Sequence, residues 1–394
     1  MTMITTIILF SLTTIIILLY MAYPLWLTFA GPEKSRGENE MEEITGVSVI
    51  LLSCNGKNYL NEKINFLLRE LSCFESHELI IIDDNSRDGS VDLLRTFVQV
   101  DHIKVIYNAK QEGIPFSMNL GIVNAKYEYV IFCDQRQKLS DNILKRIVEP
   151  LKYHNVGAVS GCISHLDLEQ KCSFIRSHEN FLKMKESKTG NLIGVYGPFY
   201  AIKKQYYFPI PDHIILDDLY LSLKILTSKQ IELRKDCQII DDDFSMLYDY
   251  KRIKRYLTGF IQILKDEKII SGLSNNQKIM LIWHKYLRLL IPLLIFLCYL
   301  VTGIMAINRI EYLIIFCIFS SIGLLSVLTI RIRCWITPLH LLRMNILYLF
   351  GLIDLLMDKA FPHRQEATGN NYRKFGSGNP GDLTNCEAEK KHDK

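Results

Sequence analysis

Three groups of acids stand where apolar runs end. Tyr129-Val-Ile-Phe-Cys-Asp134 stops on a carboxylate, Leu79 to Ile82 stops on Asp83 and Asp84, and Asp217 and Asp218 follow a further apolar segment. A continuous apolar run ended by an acid reads as a strand buried on both faces, with the carboxylate just beyond its C-terminal end. In an open α/β sheet that edge takes ligands. Asp84, Asp134 and Asp218 converging there would suit a divalent cation and an anionic, phosphate-bearing ligand. Taken singly, any one of these acids could instead cap the helix that follows it.

The elements that must position these acids are legible as alternating periodicities. Strands are expected at Val47–Ser53, Leu79–Asp83, Ile103–Tyr107, Tyr129–Asp134, Val156–Ser164, Val195–Ile202 and Gln238–Ile240. Helices are expected at Asn58–Ser72, Val91–Val98, Pro115–Asn124 and Ser140–Tyr153, and another opens at Asp217 and Asp218. The alternation predicts an α/β fold with a parallel, doubly wound sheet. The loop Asn108 to Gly113 leads into a helix whose first N–H groups face the strand ends, a place for phosphate to which Lys110 adds charge. Gly197, in a Gly-Pro turn, would let a ligand or acceptor approach the backbone closely. From Ser164 to about Leu192 the pattern is irregular and polar; Lys183, Lys185, Glu186 and Lys188 read there as a solvated connection, with a substrate-facing loop as the rival reading. His213 and His284 have no partner visible in the sequence.

Hydrophobic residues make up 49% of the 394, and their excess sits at the two ends. Six regions follow: an N-terminal transmembrane anchor (1–30), a linker (31–44), the α/β domain (45–265), an interfacial connection (266–286), C-terminal transmembrane helices (287–358) and a disordered tail (359–394). The first stretch exceeds the roughly 20 residues that cross a bilayer and lacks a basic leader, which favours a retained anchor over a cleaved signal peptide. Spans are expected at Leu289–Ile307 and Leu313–Ile330. Pro338–Met357 is a third span or a helix lying in the membrane surface. Lys285, Arg288, Arg331 and Arg333 flank the two spans and place the α/β domain on the cytoplasmic face of a plasma (inner) membrane. Trp26, Trp283 and Trp335 read as interfacial anchors. The net charge of +4 is small and lies beside apolar segments, which speaks against nucleic acid as a partner. Ten scattered cysteines without a Cys-x-x-Cys pair predict reduced thiols and no zinc site. Arg252, Lys254 and Arg255 interleave with Ile253 and Leu257 as on a helix beside a membrane or a pyrophosphate.

The order of these elements from about Thr45 to Lys265 resembles the family 2 glycosyltransferases, with their nucleotide-diphospho-sugar transferase (GT-A) fold. The flanking apolar segments resemble its polysaccharide-synthase-like branch. The matching stretches are Val47–Ser53 with Asn55, Ile80-Ile-Ile-Asp-Asp-Asn-Ser-Arg-Asp-Gly-Ser90, Asn119-Leu-Gly121, Asp134, and Leu216-Asp-Asp218. By position, the resemblance implies that Ser53, Asn55 and Asp84 contact base and ribose. It places Asp134 at the first acid of an Asp-x-Asp motif, on the diphosphate through Mg²⁺ or Mn²⁺. It places Asp218 at a catalytic base, with Asp217 beside it. Arg136 stands where that motif has its second acid, an Asp-x-Arg-Gln variant completed by Gln137. Arg252, Arg255 and Tyr256 stand at an altered Gln-x-x-Arg-Trp motif.

The chemistry so implied is the inverting transfer of a sugar from a nucleotide donor, a UDP-sugar in preference to a GDP-sugar, to a lipid-linked or growing glycan acceptor. A departing diphosphate calls for charge neutralisation by the metal, Lys110, Arg136, Arg252 and Arg255. The acceptor hydroxyl calls for a base, and Asp218 would have its pKa raised by Asp217. Gly197 and Gln137 fall on the acceptor side, with a helix-proximal turn residue as the rival reading of Gln137. The competing readings are a polyprenyl-phosphate glycosyltransferase without chain extension and a non-catalytic sugar-nucleotide-binding subunit. Three or four spans are too few for a private channel, which points to a homo-oligomer or an export partner.

Overall fold

The computed structural model describes residues 2–29, 41–164, 174–240, 246–328 and 337–360. Most of the expected linker, Arg331, Arg333, Trp335 and nearly all of the expected tail lie outside the described residues. The chain opens with helix α1 (Thr2–Phe29), followed by β1 (Val47–Ser53), α2 (Lys57–Leu71), β2 (His77–Asp83), α3 (Ser90–Arg95) and β3 (Ile103–Tyr107). Next come α4 (Ile114–Asn124), β4 (Tyr129–Asp134), the two-residue β5 (Lys138–Leu139), α5 (Ile143–Val148) and β6 (Val156–Ser164). Then follow α6 (Phe174–Lys188), β7 (Phe199–Lys203), α7 (Asp217–Leu226), β8 (Gln230–Ile240), α8 (Met246–Lys265), α9 (Glu267–Gly272) and α10 (Asn275–Leu281). A π-helical turn (Ile282–Tyr286) leads to α11 (Ile291–Ala306), α12 (Ile310–Leu328) and α13 (Thr337–Ala360).

One eight-stranded sheet runs in the order β3-β2-β1-β4-β7-β6-β8-β5. β1 pairs in parallel with β2 and β4, and β2 with β3, so the first half is the parallel arrangement that the apolar runs imply. The second half departs from it. β7 is antiparallel to both β4 and β6, while β6 is parallel to β8. A short strand buried on both sides has the same apolar signature in either direction, so direction is not readable from composition. The reversal matters because β7 starts, and does not end, at the edge where β1 and β4 finish.

Both faces of the sheet are covered. Leu60, Ile64, Leu67 and Leu71 on one stripe of α2 meet Val49, Leu51 and Ile81 from one face, and α5 extends that core through Ile143, Leu144 and Ile147. On the other face Ile50, Ile82, Val130 and Phe132 pack with α4, α7 and the inner side of α8. Gly121 is needed there: a Cβ on it would lie 2.8 Å from Ile50 Cγ2 and 3.1 Å from Ile82 Cδ1.

α6 corrects the expectation of a solvated connection. Its residues Leu182, Lys183 and Glu186 are buried, and Glu186 is 0% exposed. Glu186 accepts from Tyr23 OH of α1 at 2.5 Å, pairs with His284 Nδ1 at 2.6 Å, and accepts from Ile193 N at 3.0 Å. His284 Nε2 lies 3.1 Å from Glu179, which also takes Lys285 Nζ at 3.1 Å. His284 and Lys285 are therefore buried and partnered; neither the isolated histidine nor the flanking lysine expected from sequence describes them. Trp26 and Trp283 each stack with Tyr23, with ring centroids 6.1 Å apart. The end of α1 thereby belongs to the folded core, with Tyr23 and Leu27 both buried.

Among the described residues one helix, Met3–Phe29, is long and apolar enough to cross a membrane, or two if Asn275–Tyr286 and Ile291–Ala306, bent by 50°, form a single span. The 16 residues of α11 and the apolar stretch Ile310–Leu325 of α12 correspond to the two expected spans. α12 runs for 19 residues, and the last two residues of the second expected span, 329 and 330, lie outside the described residues. Replacing Glu186 by Ala should strip partners from three buried donors on three elements. We expect a loss of about 3 kcal/mol or more, read by denaturant unfolding, against little change for Lys188→Ala on the exposed side of α6.

Candidate active site

Strand register builds the site. Ser53 is level with Asp83 across the β1–β2 pair and Leu52 with Asp134 across β1–β4, so all three strands finish at one edge. Beyond that edge the loops are tied together. Asn55, held at φ +50°, donates its N–H to Ser86 Oγ and takes Arg87 N on its side chain. Gln135 Nε2 donates to Cys54 O at 2.9 Å, joining the ends of β4 and β1. Asp83 is not a site group: it is fully buried and accepts from both the hydroxyl and the N–H of Ser86.

Asp84 accepts from Asn108 Nδ2 and Glu112 N on one oxygen and from Gly113 N on the other. The approach to α4, expected to offer free N–H groups to phosphate, instead closes these two amides onto the Asp84 carboxylate. Lys110 in the same loop is largely exposed and pairs with Glu112 at 3.5 Å. Two buried polar atoms at this end have no protein partner, Ser53 Oγ and Gln135 Oε1. Buried polar atoms normally find a partner, so this pair marks a place where a bound molecule can supply one.

At the other end β7 delivers its turn. Asp134 N donates to Pro198 O at 2.9 Å, and a Cβ on Gly197 would lie 3.2 Å from Asp218 Oδ2. Asp134, Gly197 and Asp218 thus form one continuous line, with Asp217 and Asp218 both in the first turn of α7. Arg136 sits half-buried in the turn just past Asp134. Gln137 is buried, and its carbonyl accepts from Lys63 Nζ, so it helps to support that turn. The floor is aromatic: Phe132 lies 5.1 Å from Tyr200 and 6.1 Å from Tyr207 between ring centroids. Tyr207 OH donates to Asn119 Oδ1, and Asn119 also holds both backbone groups of Ile210. Asn119 is in this way a strap for the chain ahead of α7.

α8 contributes two of the basic groups. Gly259 packs its Cα on Leu216, and Gln262 accepts from Ile215 N at 3.0 Å, which seats the helix directly on the residues before Asp217. Arg255 faces the acids, its Nε buried without a protein partner and its charge acting on the Asp217 carboxyl. Arg252, one turn earlier, donates to Tyr256 OH at 2.9 Å and lies 5.3 Å from the centre of that ring.

The Asp217 carboxyl, in the first turn of α7, has a raised pKa. Burial, then the charge of Asp218, push it up to about 7, with Arg255 opposing. Lys183 from α6 also faces this region, its amine lowered to about 8, by burial first and the Lys285 charge second. The sequence places Lys183 in a solvated connection, whereas it is buried here. The signal available was the spacing Glu179, Lys183, Glu186, which puts three charges on one helix face beside Leu182.

Residues 48–208 match the profile of the family described as glycosyl transferase family 2. The putative teichuronic acid biosynthesis glycosyltransferase TuaG of Bacillus subtilis is 32% identical over 107 residues, 26% of this chain and 40% of that protein. Glycosyltransferase GlyA of Streptococcus pneumoniae is 25% identical over 211 residues, 48% of this chain and 29% of that one. The poly-β-1,6-N-acetyl-D-glucosamine synthase of Staphylococcus epidermidis is 26% identical over 125 residues, covering 32% and 30%. The chain spans less than half the length of each of these relatives. In fold it is similar to the mannosyltransferase PcManGT of Pyrobaculum calidifontis, solved with GDP-Man and Mn²⁺, with a TM-score of 0.73 at 17% identity over 90% of this chain and 99% of that one.

An ordinary aspartate in the unfolded chain ionises near 4, so between about pH 4 and 7 the folded protein retains a proton on Asp217 that the unfolded chain releases. That contribution to stability is present at low pH and lost as pH rises through 7. Asp217→Asn removes the loss. Thermal unfolding should show the variant gaining more over the wild type at pH 8 than at pH 5.

Proposed function

We propose, from the premise that this chain carries a family 2 glycosyltransferase domain and is a glycosyltransferase, that it moves a sugar from a nucleoside diphosphate to a lipid-linked or glycan hydroxyl by direct, inverting displacement. The observation that carries this reading is the line Asp134, Gly197, Asp218 along one sheet edge. It supplies an acid for the diphosphate end and an acid for the acceptor end, separated by a backbone that a Cβ would crowd.

Asp218 takes the acceptor proton as the acceptor oxygen bonds to sugar C1. The bond from C1 to the diphosphate oxygen breaks, and its electron pair leaves with the nucleotide. Attack from the side opposite the leaving group inverts the anomeric centre. Asp217, its carboxyl pushed toward the neutral form by burial and by its neighbour, lessens the negative charge beside Asp218. Arg255 and Arg136 balance the charge that gathers on the departing diphosphate. Ser53 Oγ and Gln135 Oε1, the unpartnered atoms near β1, face the base and ribose, with Asn55 and Asp84 shaping the loops around them.

Among the described residues no group of three or more His, Cys, Asp or Glu gathers into a protein-only metal cage. A single half-buried carboxylate at Asp134 fits Mg²⁺ or Mn²⁺ when diphosphate oxygens and water complete the shell. Such an ion supplies Lewis-acid neutralisation of the leaving group. Metal affinity at Asp134 is then conditional on the nucleotide. The exposed apolar residues of α1, among them Ile4, Ile7, Phe10, Ile17, Leu18 and Leu25, favour a membrane anchor that keeps the site near a lipid-borne acceptor.

A panel of UDP- and GDP-sugars with and without Mn²⁺, read by thermal shift in detergent, identifies the donor. With that donor, Asp218→Asn should lower turnover by about 10² to 10⁴-fold while donor affinity stays within a few fold, as loss of a general base requires. Full turnover in the variant rejects the base assignment. Asp134→Ala should abolish the enhancement of Mn²⁺ binding by nucleotide in calorimetric titration; an unchanged titration removes Asp134 as the ligand.

A further inference from the structure

The charged face of α6 extends beyond the buried Glu186 cluster to the candidate base. Lys183 is 3% exposed. Its amine donates to Gly194 O and lies 4.3 Å from the centre of the Tyr196 ring. Asn180, one turn earlier on the same helix, accepts from Tyr196 OH at 2.6 Å. The opposite side of this turn is fastened to the sheet and to α7. Tyr196 N donates to Ser160 Oγ at 2.8 Å and Val195 N to Ser222 Oγ at 3.0 Å, while the Ser222 hydroxyl donates to Asp218 O at 2.6 Å. Gly194 has φ +85°, a backbone state that a side chain would strain. Gly197, the last residue of the turn, lies directly against the Asp218 carboxylate.

A buried amine is a costly way to hold a turn. Methionine would fill a similar volume without the desolvation of a charge, and replacing buried ionic groups by apolar ones is often neutral or stabilising. The groups facing Lys183 are Glu179 and Glu186 on its own helix, Lys285 from the π-helical turn and Asp218 from α7. Glu179 and Glu186 already have His284, Lys285 and Tyr23 as direct partners. Asp218 is the facing carboxylate outside that cluster.

We propose that Lys183 is a positioning residue for the sugar transfer: from α6 it sets the Gly194–Gly197 turn against Asp218 and places a positive charge facing that carboxylate. The proposal rests on the reading of Asp218 as the base. Lys183 touches no substrate in this scheme and acts through the turn and through its charge. A nearby cation stabilises a carboxylate, so losing it moves the carboxylate's ionisation to higher pH.

The test compares Lys183→Met, Lys183→Gln and Lys183→Arg in the full chain, with Asp218→Asn as reference. Lys183→Met and Lys183→Gln should bind the nucleoside diphosphate within about twofold of wild type, lose tenfold or more in kcat, and show the acid limb of the kcat/KM profile moved to higher pH. Lys183→Arg, which keeps the charge, should hold the acid limb in place. Neutral variants with wild-type kcat and pH profile overturn the proposal, as does loss of nucleotide binding in step with kcat on an unmoved profile. Failure of both neutral variants to fold also overturns it, because a lysine that the fold alone requires is not serving the base. An active Asp218→Asn enzyme instead refutes the base assignment itself, so the two failures are told apart.

Discussion

The parallel pairing of β1 with both β2 and β4 is the constraint on which the rest of the molecule depends. It places Ser53, Asp83 and Asp134 level with one another. Every loop that leaves these strands is then obliged to share one edge, and the polar residues of those loops have nowhere to bond except to each other. The ties from Asn55 to Ser86 and Arg87, from Asp84 to Glu112 and Gly113, and from Gln135 to Cys54 follow from that crowding. The reversal of β7 completes the edge, since an antiparallel neighbour begins where parallel neighbours stop, and so Pro198 can meet Asp134.

Electrostatics divides the acids on that edge into different kinds. Asp83 is fully buried and serves the Ser86 turn, whereas Asp84 serves the loop ahead of α4. Asp217 is pushed toward its neutral form, leaving Asp218 beside a glycine backbone. The same residue type in four places thus has distinct tasks, set by what surrounds it and not by its own chemistry. α8 adds the compensating cation from outside the family 2 match, since Arg255 lies beyond residue 208.

Much of this was legible in the residues. Buried parallel strands are continuous apolar runs, and each of β1, β2 and β4 announces itself in that way; the acids at their ends are visible for the same reason. α7 was legible through its paired first-turn acids. α6 was not, because Lys183, Lys185, Glu186 and Lys188 look solvated until the partners of Glu186, roughly 100 to 160 residues away, are known. His284 was missed for the mirror-image reason. The direction of β7, the use of Asp84 by the α4 loop and the buried position of Gln137 likewise depend on contacts between distant segments that no local pattern encodes.

The N-terminal helix has a double character with a practical edge. Its first turns are greasy and outward-facing, yet Tyr23 stacks with two tryptophans and is bonded to a carboxylate that water does not reach. Trimming the chain at the start of the α/β domain to obtain a water-soluble enzyme would leave Glu186 and His284 facing a vacated trench, with apolar walls open to solvent. A soluble version is better sought by repainting the outer surface of the helix with polar residues while its last two turns stay as they are.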